Sequence, residues 1–570
     1  MKDDKKTITA TLLGIEGKRD RESFPGMIAG AYVLWLGRKK DAIDIEDLPS
    51  FLKNAEHDDS IRLFVQEELS DHWDKYRPYI TSFDQELLKQ IILELVPLSR
   101  DSRSSGLVHT PESVLELVAQ LLEIAPGDHV ADFGSGTGEF LCHACNRVPE
   151  AHYWGDEIAT VSIAIAKIRA KVLGGDVTLV QEDMFAQTRT ARKFDKIFCF
   201  PPFGMRLSYL PHAEEFMMSQ PASLPKLRGT VSCEWIFALK MLSCLEKGGK
   251  AVLTMTPGGL FNAPDNDIRR YLLERQLIEA VILLPSRLLD STAIPLALVV
   301  LSSNNSHVRM INASKLGVQK RRGTELTEED VKRIISAMRG ERYAWSNMVD
   351  CRNLIKLGNM DPNYHTRDEI KFKHQARFGD VIKEMLRGAS LTAADLDNLT
   401  SAEPTEFQYL AASSIRNGMI DDELPYLTAI DDRLRKYCLR ANDIILSKIG
   451  APAKVALGAP SAGQNILVNG NLFIIRVNED VADPCYVKVF LESELGQASI
   501  MRVAGGSVMP NLSVEAIKNM TISLPPLAEQ KQIANRYRAK ADEIILLRRK
   551  LEAALNSLGH ILDLDDNRRA

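Results

Sequence analysis

Cysteine is scarce in this chain. There are eight in 570 residues, at positions 142, 145, 199, 233, 244, 351, 438 and 485. So few thiols exclude the dense disulfide framework that staples small secreted folds. No apolar run approaches the ~18 residues that a membrane-spanning helix needs. The opening MKDDKKTITATLLG lacks the apolar core of a secretory signal. These absences predict a cytoplasmic protein. An excess of positive charge is also missing: the net charge is −5, and the last 200 residues balance acids against bases. A protein that coats nucleic acid by bulk charge would be basic, so any nucleic acid must be held by local patches. Cys142-His-Ala-Cys145 has no second ligand pair at metal spacing, and no metal is expected. Gly248-Gly249-Lys250 lacks the flanking residues of a phosphate loop and reads as a turn before a strand. With no complete nucleotide-hydrolysis motif, restriction or DNA translocation would need another polypeptide.

What is present is ordinary globular composition, 45% hydrophobic and 26% charged. Residues 1–105 carry apolar residues at three- and four-residue steps, as in Ala29–Leu36, Ile61–Leu69 and Glu86–Leu95, and predict a helical N-terminal domain. Residues 106–306 alternate short β-rich runs with helical stretches, which predicts a mostly parallel α/β sheet. Residues 307–375 read as a mixed connector. Residues 376–530 have short runs spaced by turn residues, a β-rich or α+β pattern. Residues 531–570 continue a helix that starts near the Pro-marked LPPLAEQ and carries an apolar stripe of Ile544, Leu547, Leu551, Leu555 and Leu558.

The first chemical signal is Asp132-Phe-Gly134-Ser135-Gly136-Thr137-Gly138, after the apolar run His129–Phe133 and before a helix. Glycines let such a turn pass close to a ligand, and the helix start offers free N–H groups. Alone it serves several cofactors, or none. Spacing narrows it. Gly155-Asp156-Glu157-Ile158 ends the next strand, where Glu157 could accept from both ribose hydroxyls. Gln181-Glu182-Asp183-Met184 ends the one after, where Asp183 could accept from an adenine amino group. The competing reading is that Glu157 and Asp183 only cap helices.

The second signal is Phe194-Asp-Lys-Ile-Phe-Cys199-Phe200-Pro201-Pro202-Phe203-Gly204, a strand running into a Pro-Pro turn with an aromatic after it. Together with the SGLVHTPE segment, Glu234-Trp235-Ile236-Phe237 and LEKGGKAVLTMTPGGLF, it resembles the modification subunits of type I restriction systems and their fused relatives. The resemblance covers Gly106 to about Ser302. It implies a Rossmann-like class I methyltransferase domain that uses S-adenosyl-L-methionine to methylate N6 of adenine in double-stranded DNA. The adenine would be flipped out, since N6 is inaccessible in the stack. His109, Thr110, Pro111 and the 134–138 turn would hold the donor with Asp132, Glu157, Ile158, Asp183 and Met184. His109 also reads simply as a loop histidine. The Pro201 carbonyl would accept one amino hydrogen, and Phe203 would stack on the flipped ring.

One position departs from the family. Phe200 stands where the (Asn/Asp/Ser)-Pro-Pro-aromatic motif has a polar side chain, and phenylalanine accepts no hydrogen bond of that kind. Cys199 should point to the other face of the strand. Two readings follow: a working methyltransferase, or a catalytically impaired protein that binds donor and DNA. A third, an RNA or protein amino-methyltransferase, is disfavoured by the C-terminal half.

That half resembles one target-recognition domain of type I specificity subunits, through FGDVIKEMLRG, LRANDIILSKIG, NGNLFIIRV and GSVMPNLSVEAIKNMTISLPPLAEQKQIA. Arg416, Lys448 and Lys454, with Ser507 and Asn511, could contact phosphates and base edges; each lysine or arginine also reads as solvated surface. Specificity subunits separate two such domains by paired helices, whereas this chain has one of each. The expectation is a homodimer paired through the C-terminal helices, reading a two-part site.

Overall fold

The computed structural model describes residues 5–16, 23–96, 109–185, 192–210, 212–289, 292–320, 323–366, 372–450, 452–504 and 512–559. It divides into two units, Met1–Thr366 and Arg367–Ala570.

The first unit begins with helices. Ser23–Lys39 has its interior lined with buried apolar residues from Phe24 to Leu36. Leu48–Ala55, Asp59–Leu69 and Gln85–Glu94 each start on an aspartate, Asp47, Asp58 and Asp84, whose carboxylate accepts first-turn N–H groups. These helices close a core with one face of a later helix, Thr160–Leu173, through Ala164, Ile165, Ile168 and Val172. Polar ties reinforce the seam. Lys171 Nζ donates to the buried Glu56 carboxylate at 2.5 Å, and Tyr32 donates to the same group. Lys167 Nζ lies 3.1 Å from Asp58.

Nine strands form the central sheet. They are β1 His129–Phe133, β2 His152–Glu157, β3 Val177–Gln181, β4 Phe194–Cys199, β5 Leu245–Met255, β6 Ile278–Leu283, β7 Ala297–Leu301 and β8 His307–Asn312. After a small antiparallel pair, β9 Val318–Lys320 and β10 Gly323–Glu325, comes β11 Ser346–Asp350. The order is β11-β8-β6-β7-β5-β4-β1-β2-β3. The segment expected as a connector is not one: β8 joins the sheet parallel to β6, and β11 pairs antiparallel with β8. β11 is the polar edge run SNMVD, with no apolar signal to read. β7 runs antiparallel to both β5 and β6, and the strands from β3 to β5 are parallel. This is the mostly parallel α/β sheet that the alternating pattern predicts. Its order reverses between β1 and β4, so a crevice opens at their carboxyl ends.

The second unit is α+β. One four-stranded antiparallel sheet holds Ile382–Arg387, Leu472–Val477, Ile444–Ser447 and Val455–Leu457, in that order. A second holds Thr400–Ser401, Tyr426–Leu427, Phe407–Leu410 and Asn465–Val468. The long helix Leu527–Gly559 follows Pro525-Pro526, which cannot donate and so suit its entry. Its start is anchored: Gln530 Oε1 accepts from Asp483 N at 2.9 Å, and Ala534 is buried. Farther on, Ile544, Leu547, Leu551 and Leu555 are exposed. The Leu558 side chain lies outside what is described, as do Ser507 and Asn511.

Candidate active site

Asp132 is the penultimate residue of β1, just before a turn whose backbone only glycine adopts at low cost. Gly134 has φ +72° and Gly138 φ +79°. Gly138 also caps the Glu139–Arg147 helix, and a Cβ there would lie 3.1 Å from Ala166 Cβ. Three hydrogen bonds pin the turn to the end of β2. Gly134 N donates to Asp156 Oδ1 at 2.7 Å, Ser135 N to the Asp156 carbonyl at 2.7 Å, and Gly136 N to Glu157 Oε2 at 3.0 Å. Glu157 Oε1 accepts from Ala159 N at 2.8 Å, just before the Thr160–Leu173 helix, whose first-turn N–H groups take no side-chain cap. Asp183 Oδ1 accepts from Phe185 N at 2.9 Å, while its Oδ2 is buried with no partner. Ser135 Oγ is likewise buried and unpartnered.

Phe133 and Cys199 are register partners in β1 and β4, so the glycine turn and the Pro-Pro turn leave the sheet side by side. Between them lies a cavity of about 420 Å³. Thr110, Asp132, Gly134, Ser135, Gly136, Thr137, Glu157, Ile158, Asp183 and Met184 line one part of it; Phe200, Pro201, Pro202 and Phe203 line another, with Phe198, Met205, Leu210 and Phe237. Three candidates do not line it. His109 Nδ1 rests against the Glu139 carboxylate at 3.1 and 3.2 Å. Pro111 caps the Glu112–Leu122 helix, and Gly138 packs on Ala166.

The first part of the cavity is strongly acidic. Burial pushes the Asp132 carboxyl well above the usual carboxylate range, and the Asp156, Glu157 and Glu139 carboxylates push it the same way. Burial pushes Glu139 up too, but the His109 hydrogen bond, nearby positive charge and the Thr110 N–H outweigh it and hold Glu139 below its ordinary value. Carboxylates crowded into one cavity, with two unpartnered polar atoms among them, suit a cationic ligand bearing hydroxyl and amino groups.

In the other part, the Phe200 and Phe203 rings tilt against each other, 5.1 Å between centroids at 37°. Phe200 therefore fills part of the slot. Cys199 packs in the opposite layer, in a cluster with Trp235, and burial pushes its thiol well up, so it does not stand in for the missing acceptor. Behind the turn, Cys233 Sγ donates to the Pro202 carbonyl at 3.4 Å, and Thr256 Oγ1 donates to the buried Glu234 at 3.2 Å.

Residues 95–373 match the N-6 DNA methylase family, and residues 380–556 match the type I restriction modification DNA specificity domain. The chain thus resembles an N-6 DNA methylase joined to a type I specificity domain. The methylase domain is similar to the type I restriction enzyme MpnII methylase subunit of Mycoplasma pneumoniae, 23% identical over 45% of this chain and 52% of that protein. The specificity domain is similar to the EcoKI specificity subunit of Escherichia coli, 27% identical over 25% of this chain and 32% of that protein. A type I methyltransferase subunit structure from Streptococcus thermophilus covers 62% of this chain and 97% of its own, at 17% identity and a TM-score of 0.48. The chain spans about half the length of the curated methylase subunits it matches.

In the specificity domain the three basic candidates differ. Arg416 is exposed and pairs with Asp421 at 3.3 Å. Lys454 Nζ donates to the Ala412 carbonyl at 2.7 Å. Lys448 is half-buried; burial and the neighbouring Arg387 both lower its pKa. Arg387, which sequence reading passed over, ends the Ile382–Arg387 strand and donates to the Gly470 carbonyl at 2.7 Å. In the methylase domain the reading also passed over Glu139 and Arg169. Arg169 was findable: it interrupts the apolar stripe Ile165, Ile168, Val172, where a cation is out of place unless it has partners.

Proposed function

We propose that this protein is a site-specific DNA adenine-N6 methyltransferase of a restriction-modification system, carrying its own specificity domain. The observation that carries the reading is the shared cavity: an acidic, partly unpartnered half and an aromatic Pro-Pro half, held together by the β1–β4 register. S-adenosylmethionine supplies an electrophilic methyl group when bound. Ser135, Glu157 and Asp183 offer the acceptors for its amino and hydroxyl groups, and the glycine turn its close approach. The Pro201 carbonyl accepts from the adenine amino group, and Phe203 provides a face for the flipped ring. A DNA substrate supports a cytoplasmic location. Restriction, if present, comes from a separate subunit.

Phe200 favours a second reading, in which donor and DNA bind but transfer is impaired. An acceptor lost from a dry site costs about 3 kcal/mol, or ~10²–10³ in rate. Tritiated methyl transfer to DNA tests both, with wild type beside Phe200→Asn. Label on adenine from wild type supports the enzyme. Label only from the variant overturns the enzyme reading and supports the impaired one; label from neither also overturns the enzyme reading, and calorimetry showing no donor binding would then overturn the impaired one.

We further propose that two copies pair through the Leu527–Gly559 helices. The exposed Ile544, Leu547, Leu551 and Leu555 support this, since such a stripe is ordinarily covered. Light scattering giving a concentration-independent monomer, with and without DNA, would overturn it.

A further inference from the structure

Arg169 sits fully buried in the middle of the Thr160–Leu173 helix, and every nitrogen of its guanidinium is engaged. Nε donates to the Ile92 carbonyl at 3.1 Å and Nη2 to the Leu95 carbonyl at 2.6 Å. These carbonyls lie at the C-terminal end of the Gln85–Glu94 helix, where backbone acceptors run out of partners and a cation is favoured. Nη1 donates to the carbonyl and the hydroxyl of Thr137 at 3.0 and 2.8 Å. Its counter-charge, Glu139, is 3.8 Å away and in turn accepts from Thr110 N at 2.8 Å. One side chain thus touches the N-terminal helices on one side and two segments of the cavity wall, directly or through Glu139, on the other.

Stability alone does not account for it. A buried charge is a poor stabiliser against an apolar residue of similar volume, and the surrounding stripe is already apolar. The N-terminal helices are also fastened to Thr160–Leu173 at residues 56–58, by Lys171–Glu56 and Lys167–Asp58, neither of which includes a cavity residue. What Arg169 adds is the link to Thr137 and Glu139, both cavity-lining.

We propose that Arg169 is a positioning residue for the donor half of the site, and that through it the N-terminal helices set donor affinity. Displacing the Gln85–Glu94 helix would withdraw two of the guanidinium's acceptors and loosen the 134–139 turn. The coupling is reciprocal, so a ligand in the cavity steadies that helix without touching it. This rests on the reading that the cavity binds S-adenosylmethionine.

The test uses the full chain, with S-adenosylmethionine and S-adenosylhomocysteine as probes. Hydrogen exchange on wild type is expected to show slower exchange across residues 85–95 when S-adenosylhomocysteine binds. Calorimetry on Arg169→Lys is expected to show donor affinity down at least about tenfold, with specific DNA binding unchanged and the protection of residues 85–95 lost. Exchange at residues 85–95 indifferent to the ligand in wild type overturns the proposal, and needs no variant to fold. So does a folded Arg169→Lys with wild-type affinity. Absence of binding by wild type itself would instead overturn the reading of the cavity, which keeps the two failures distinct.

Discussion

At Asp132 and Phe200 the demands of binding and of folding oppose each other. Asp132 is buried among three other carboxylates, and its folded-state pKa is raised. A raised carboxyl pKa means that deprotonation costs the folded state more than the unfolded one, so this group subtracts stability at neutral pH. Asp132→Asn should therefore melt about 2–4 °C higher at pH 7, with the advantage shrinking as pH falls toward about 4. The same variant should bind the cationic donor more weakly; calorimetry and thermal melts at several pH values check both. Glu139 has the opposite sign. Its lowered pKa contributes stability above the ordinary glutamate range that is lost as pH drops through the folded value. Phe200→Asn restores an acceptor and should raise methyl transfer by ~10²–10³, read as label per adenine per minute. At this scale the sequence was informative about residue types and spacing, and silent about occupancy. It placed Asp183 and Glu157 at strand ends, but only coordinates separate an acceptor already serving Ala159 N from one with no partner.

The elements divide by how strongly their pattern speaks. β1 to β7 all fall within residues 106–306, where short β-rich runs alternating with helical stretches predict a mostly parallel sheet, and β1 coincides with the run His129–Phe133. β11 was missed because an edge strand needs no apolar face, and β8 because its six residues follow a polar turn that looked terminal. The antiparallel direction of β7 is invisible in composition, since buried strands read alike in either sense. The glycine turn is an element whose geometry leaves no slack. Gly138→Ala would add a side chain at positive φ and crowd Ala166, costing about 1–2 kcal/mol. Urea unfolding should show a lower midpoint with an unchanged slope.

For the whole molecule, the terminal helix carries the strongest prediction. Replacing Leu547 and Leu551 by lysine should halve the mass seen by light scattering, while the melting temperature of the isolated protomer stays within a degree or two, because both side chains are exposed. Two units and two matched families give the chain a modular look. The boundary read from sequence at residue 105 is different in kind. Thr160–Leu173 packs on β2 and β3 as well as on the N-terminal helices, and its Ile165 and Ile168 complete the N-terminal helices' core. A gene trimmed to start after that boundary would produce a sticky remnant, with an oily stripe and a naked guanidinium turned toward water. Natural recombination that swaps the front of this protein must therefore carry the matching helix along, or leave the front alone.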